Sequence, residues 1–531
     1  MNIFQLILYI LILVLFSCSS NKITTHDNIF RYNESSTITS LDPVFSNNQS
    51  NIWATNQIFS TLVQLDSSMV IKPLVAKDWF VTDNGHRYTF ILRDDVYYHK
   101  SECFGIDSTR KLVANDFIYS LSRLANNDIL SPGRWTLDYF DLENVIALND
   151  TVLEINLPKP FPGFLGLLTM NYFSFVPQEA INHFGENFSS QPIGTGPFCF
   201  KKWKSNEKLI LLKNPDYFEF EQNLRLPYLD GISISFITQK ESVFMNFMLD
   251  NIDFISGLDS SFKDELIDNQ GELLETHNNR FSILSNPYLN TEYLGVHLPK
   301  VNNENSPLMY KDFRKALNSC FNKSIMVKYL RNGLVYPADA GFVPLSLKKC
   351  YNIESNTLSA DSIKKLISKT PNNDKKIILN TTSEYLDVCE FIQHSALEYG
   401  INIEIEISSP AVHRDLFSSG NASLFRASWI ADYPDPENFL SLFYSKNKSP
   451  FGPNYTHFNN ELYDKLYDQS FITSDMDSRC DLFKKMEIIL LEEAIVFPLY
   501  YDYVFRLVSN KVKGMSINSM NTLCLKRVKK N

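Results

Sequence analysis

A strand, a helix and a second strand in close succession constrain this chain more than any other feature: KKIILNTT (375–382), EYLDVCEFIQHSALEYG (384–400) and residues 402–408. Apolar residues recur at strand spacing, then helix spacing, then strand spacing, and Gly400 stands where a helix stops. That pattern specifies a βαβ unit, whose strands run parallel and whose crossover is right-handed, so the fold class is α/β. Ligands in such folds collect at the carboxyl ends of strands. The next strand-like run, LFRASWI, ends close to Asp432.

In RASWIADYPDPENF (426–439), Pro434 and Pro436 remove backbone donors and fix φ, so neither sheet nor helix is expected to continue there. Asp432 follows Trp429 by three residues and precedes Tyr433, so its carboxylate is expected against ring faces rather than in bulk water. A carboxylate so placed wants a cation. The competing reading is a simple turn cap, a common use of aspartate before proline.

The N-terminus, MNIFQLILYILILVLFSCSS, carries an apolar run from Ile3 to Phe16. It is shorter than the roughly 20 residues of a comfortable span and fits a signal peptide; an uncleaved N-terminal anchor is the alternative. Leu15-Phe16-Ser17-Cys18 resembles a bacterial lipobox, which makes Cys18 a candidate for lipidation. No second apolar run of spanning length follows Ser20. A length of 531 residues suggests about three domains, and 44% hydrophobic residues supply ample core. The net charge of −10, from 60 acidic against 50 basic residues, argues against nucleic acid or anionic lipid as the main partner.

Beyond Cys18 there are seven cysteines (103, 199, 320, 350, 389, 480, 524), with no CxxC pair. Export permits disulfides, but spacing does not choose the pairings. The histidines are scattered, with no HExxH and no metal-site spacing, and no GxSxG elbow occurs. No catalytic residue, metal or cofactor is expected, and the chain reads as a non-enzyme.

Asp83-Asn84-Gly85 predicts a hairpin turn, and Asn115 or Asp116 a cap for a helix running to Leu124. In PIGTGPF, Gly194 and Gly196 flank Thr195 and serve either a tight structural turn or close approach to a ligand. Arg314, Lys315 and Lys323 are expected on a solvated helix face. His413 and Arg414 either lie in a solvated loop or reach a ligand carboxylate.

Taken in order, LDP, KPLVAKDW, DNGHRYTFILRDDVYYH, VANDFIYSLSR, LPKPFPGFLGLL (157–168), the block from PIGTGPF to DYF (192–218) and ADYPDP resemble the extracellular solute-binding proteins of family 5. These are the oligopeptide- and dipeptide-binding receptors of ABC importers. The resemblance covers essentially everything after residue 28. It implies a two-lobed periplasmic-binding-protein fold with an additional domain and ligand enclosed between the lobes. The implied division is a signal peptide (1–18), a linker (19–28), a discontinuous lobe I (29–66, 187–286, 497–531), an additional domain II (67–186) and lobe III (287–496), with crossings near 287 and 496.

The resemblance further implies that Asp432 pairs with a peptide α-amino group, that Trp429 walls a side-chain pocket, and that Arg426 meets the peptide carboxylate. Tyr433 and Gly196 complete the implied ligand-binding set. A core tryptophan and an internal salt bridge at Arg426 are the alternatives. The implied partners are an oligopeptide, an ABC permease with its ATPase, and a membrane reached through a lipid on Cys18. The expected receptor is an extracytoplasmic or periplasmic monomer. Murein peptide, haem or chelated nickel as ligand, or peptide sensing without transport, are the alternatives within the resemblance.

Overall fold

A computed structural model describes residues 28–531 apart from 258–261, 263, 264, 269–271, 332, 349, 355 and 356. The expected signal peptide, Cys18 and the linker up to residue 27 lie outside the described residues. Among the described residues, no helix is long and apolar enough to cross a membrane.

Three sheets organise the chain. The first has seven strands in the spatial order 281–287, 503–509, 254–256, 29–33, 231–235, 208–213 and 198–204. Its middle is parallel, with Ile29–Asn33 between Gly231–Ser235 and Phe254–Ser256. Side chains alternate across a strand, so IFRYN sends Phe30 and Tyr32 inward, where they meet Trp53 of the helix Gln49–Ile58.

The second sheet has six strands in the order 336–337, 496–501, 290–296, 424–430, 377–381 and 403–407. The βαβ unit forms as the sequence predicts. Ile377–Thr381 and Ile403–Ile407 pair in parallel, and the helix Leu386–Leu397 joins them. Helices cover both faces, so the inner strand Asn290–Val296 is buried at every residue.

The third sheet, with four strands, is built by 76–82, 87–92, 152–156 and 145–149. Its first hairpin turns at Asp83-Asn84-Gly85, all three with positive φ. The helix Ala114–Ala125 that packs near this sheet is capped from inside its first turn: Asp116 accepts the Val113 N–H at 2.9 Å.

The chain passes between the first two sheets at residues 287–290 and again at Asp502. The second crossing falls later than the expected 496, because Val496–Tyr501 pairs with Asn290–Val296 inside the six-stranded sheet.

Two charged residues depart from the solvated face expected of them. Arg314 is not on a solvated face; it is 3% exposed, and its guanidinium donates to the carbonyls of Leu308, Met309, Glu493 and Ala494. Lys323 turns inward and donates to Ala338 O at 3.1 Å, and burial lowers its pKa to about 8. Lys315 stays partly exposed. Amphipathic spacing identified a helix but not the carbonyls that the next elements bring to its flank. One disulfide joins Cys350 to Cys480, a pairing that spacing left open.

Candidate functional site

The strand Leu424–Ile430 is paired along its whole length with Asn290–Val296. On its other edge, Ile377–Thr381 reaches only as far as Phe425. From Arg426 to Ile430 that edge carries no strand among the described residues, and Ser428 and Ile430 are exposed. Period 2 places Arg426, Ser428 and Ile430 on one face and Ala427 and Trp429 on the other. Arg426 and Trp429 therefore serve opposite sides of the strand.

Beyond the strand, regular structure resumes sooner than expected: Pro436–Leu440 is a helix with Asp435 as its cap. Proline at the first helical position loses nothing, because its missing N–H would have had no partner there. Asp435 is in turn gripped by Arg479 through two bonds of 2.7 and 3.0 Å.

This short helix presents Asn438 to the site. Its Oδ1 accepts from Trp429 Nε1 at 2.9 Å and from the Asp432 N–H at 3.2 Å, and its Nδ2 reaches Asp432 Oδ2 at 3.5 Å. Asn438 thus fixes both the indole and the carboxylate. Asp432 is half-buried, and no cationic side chain pairs with it among the described residues. Burial pushes its carboxyl up to about 6, and the Asn438 bond only partly offsets that. Its charge is felt by Tyr139 and Tyr172, which belong to the body around the four-stranded sheet; burial is the larger reason that both phenols are raised. Asp432 therefore lies between the six-stranded and four-stranded bodies.

The other predicted residues are placed differently. Tyr433 is 1% exposed, packs edge-on against Phe161 with ring centres 5.6 Å apart, and donates its hydroxyl to Glu437 at 2.5 Å. It docks the strand end onto the neighbouring body. Arg426 is buried, paired with Glu292 and stacked on Tyr385, which is the internal salt bridge that sequence left as an alternative. Trp429 is half-buried. His413 is not in a solvated loop: it is buried in the helix Pro410–Ser418 and donates to Arg426 O at 2.7 Å. Arg414 is exposed on that helix.

Gly196 sits in the first body. Its N–H donates to Ile58 O at 2.8 Å, its carbonyl accepts from His99 and Asn214, and an added Cβ would stand 2.5 Å from the Ile58 carbonyl carbon. Gly196→Ala is expected to lower stability by about 1–3 kcal/mol through this backbone clash. Thermal unfolding checks it, and the folded fraction should keep its ligand affinity.

Three residues of this region escaped the sequence reading. Asn438 stands six positions past Asp432, with no periodic relation to it. Glu292 and Asp502 had a visible signal, a lone acid inside the apolar runs TEYLGVHLP and IVFPLYYDYVFRLVS. Among the described residues, no group of three or more His, Cys, Asp or Glu side chains is placed to hold a metal ion.

Comparison with known proteins gives a consistent set. The sequence model described as "Bacterial extracellular solute-binding proteins, family 5 Middle" matches residues 70–451. The chain is 25% identical over 519 residues to the periplasmic murein peptide-binding protein MppA of Escherichia coli (strain K12), spanning 92% of this chain and 90% of that protein. It is 24% identical over 492 residues to the oligopeptide-binding protein OppA of Bacillus subtilis (strain 168), spanning 87% and 85%. Among solved structures, the ABC transporter-associated periplasmic binding protein DppA from Helicobacter pylori, in complex with the peptide STSA, superposes with a TM-score of 0.77 at 24% identity, over 96% of this chain and 100% of that one.

Proposed function

The chain belongs to the bacterial extracellular solute-binding proteins of family 5, with their two-lobed periplasmic-binding fold, and from that membership we propose that it captures peptides bearing a free α-amino group and hands them to an ABC permease and its ATPase. Capture takes place outside the cytoplasmic membrane, where a lipid on Cys18 would hold the receptor.

The observation that carries this reading is Asp432, which has no cationic partner among the described residues and stands at the end of a strand edge that no described strand covers. An extended peptide laid along Arg426–Ile430 adds a strand there, bonding through main-chain groups that every peptide shares. Its ammonium then meets Asp432, while side chains occupy wet pockets that impose little sequence preference. Murein peptide is a second reading, favoured by the similarity to MppA; such peptides carry amines of their own. Haem and chelated nickel offer no ammonium to Asp432.

Calorimetry on the purified protein tests this. A tripeptide mixture should bind saturably, and the same mixture N-acetylated should not. Equal binding of both, or of neither, would sink amine capture. The pH dependence follows in sign. Only the ionised carboxylate attracts an ammonium, so affinity is level above about 6 and falls roughly tenfold per pH unit below it. It falls again above about 8, where the α-amine loses its proton. A flat profile from pH 4 to 7 would remove Asp432 from the site.

A further inference from the structure

Asp502 lies where the chain returns from the six-stranded to the seven-stranded sheet. It runs beside the other crossing segment: Tyr288 N donates to Asp502 O at 2.8 Å, and the next residue, Leu289, accepts the Ala431 N–H at 2.9 Å. Ala431 adjoins Asp432. Asp502 is therefore two strand spacings, about 10 Å, from the end of the binding strand, on the floor between the lobes.

Its surroundings are short of one positive charge. Tyr500 and Asp502 are two residues apart and share a face with Glu292, which pairs with Tyr500 in register, and with Arg426. Arg426 is engaged by Glu292, and Arg331 by Asp387 at 2.6 Å. Those two guanidiniums leave the third carboxylate, Asp502, without a counter-ion of its own. Neither of its side-chain oxygens has a hydrogen-bond or ion-pair partner among the described residues. The remaining groups facing this cluster are the Tyr288, Tyr385 and Tyr500 rings and the exposed Glu384, which adds negative charge.

Building on the peptide-capture reading, we propose that Asp502 forms a second cation subsite on the cleft floor, selecting ligands that carry a second ammonium or guanidinium, such as a lysine or arginine side chain near the peptide's amino end. One added cation balances the three inner carboxylates, Glu292, Asp387 and Asp502, against the two guanidiniums, while solvent screens the exposed Glu384. Burial, then the charge of Glu292, lifts the Asp502 carboxyl to about 7, while Arg331 and Arg426 only partly offset them. A cation settling there favours the ionised form, so the subsite fills with proton release.

The test is a lysine scan of trialanine by calorimetry, with each lysine also supplied Nε-acetylated, on the wild-type protein, Asp502→Asn and Asp432→Asn. At one position, lysine should add at least tenfold in affinity, about 1.4 kcal/mol. Acetylation and Asp502→Asn should each abolish that increment, while Asp502→Asn changes trialanine affinity by less than about twofold. The increment should also shrink below pH 7, whereas trialanine affinity holds until about 6. No lysine preference at any position, or equal losses for trialanine and lysine peptides in Asp502→Asn, overturns the subsite while peptide capture stands. Failure of every peptide, trialanine included, to bind overturns both readings. Asp432→Asn separates the two sites, since it should weaken all the peptides and leave the lysine increment in place.

Discussion

Asp432→Asn is expected to weaken tripeptide binding by at least tenfold and to stabilise the empty protein at neutral pH. The first effect follows from the proposed pairing: a bound ammonium enclosed between the lobes would lose its partner, which costs roughly 2–5 kcal/mol. Asparagine keeps the size of aspartate, and Asn438 still holds Trp429 through its own 2.9 Å bond, so the site's shape survives the change.

The second effect has the opposite sign to a structural role. The folded carboxyl titrates near 6, above the usual 3.9 of an unfolded aspartate, so the empty fold prefers the protonated form. Stability is therefore lost as pH rises from about 4 to 6, and at pH 7 the ionised group costs on the order of 2 kcal/mol. Asparagine has no such cost. A carboxylate kept ionised for a structural role predicts the reverse, a loss of about 1 kcal/mol, because its charge-assisted hydrogen bonds become neutral ones. Calorimetric titration and thermal melting of one pair of proteins read both effects. A variant that is less stable and binds normally would make Asp432 a structural residue.

Breaking the Cys350–Cys480 disulfide is expected to have the largest effect on stability. The bond closes a loop with a sequence separation of 130 and ties the segment after Pro344 to the helix Met476–Glu493. Loop-closure entropy for a ring of that length approaches 5 kcal/mol, with about 2–5 the usual range for losing a native disulfide. Part of the clamp remains without it. Lys348 pairs with the buried Glu487 at 2.7 Å, and Glu487 also accepts the N–H groups of Phe342 and Val343, both at 2.7 Å.

Cys480→Ser should therefore fold, with an unfolding midpoint lower by roughly 5–15 °C. Reductant should bring the wild-type protein down to the same midpoint and leave the variant unmoved. Peptide affinity should hardly change, because Arg479 keeps its grip on Asp435, the cap of the helix that carries Asn438, without the bond. Identical melting with and without reductant would show that the bond contributes nothing to the native fold.

What could be read in advance was local in sequence. The βαβ unit between 375 and 408, the Asp83-Asn84-Gly85 turn and the break after Ala431 each depend on residues within a few positions of one another, and each formed. The helix that begins at Pro436 was legible in principle, since proline is favoured at a first helical position, yet the same residue reads as a terminator when its place in the element is unknown.

The fate of charged side chains was not local. Arg314 is buried because the carbonyls of Glu493 and Ala494 arrive beside it, and Arg426 is committed because Glu292 stands next to it on the adjoining strand. Asp432 marked itself in the sequence by its aromatic and proline neighbours, but Asn438, which orients it, did not.

The sequence by itself determined the α/β class, the order of the elements and one carboxylate in want of a cation. Hydrophobic period, glycine and proline act over short stretches, so a single chain displays them openly. Only the tertiary structure decided which charges are paired, which cysteines are joined, and that Asp502 lies one crossing segment away from the end of the strand Leu424–Ile430. Those outcomes rest on distances between residues that lie from tens to hundreds of positions apart, and such distances exist only once the two lobes have packed.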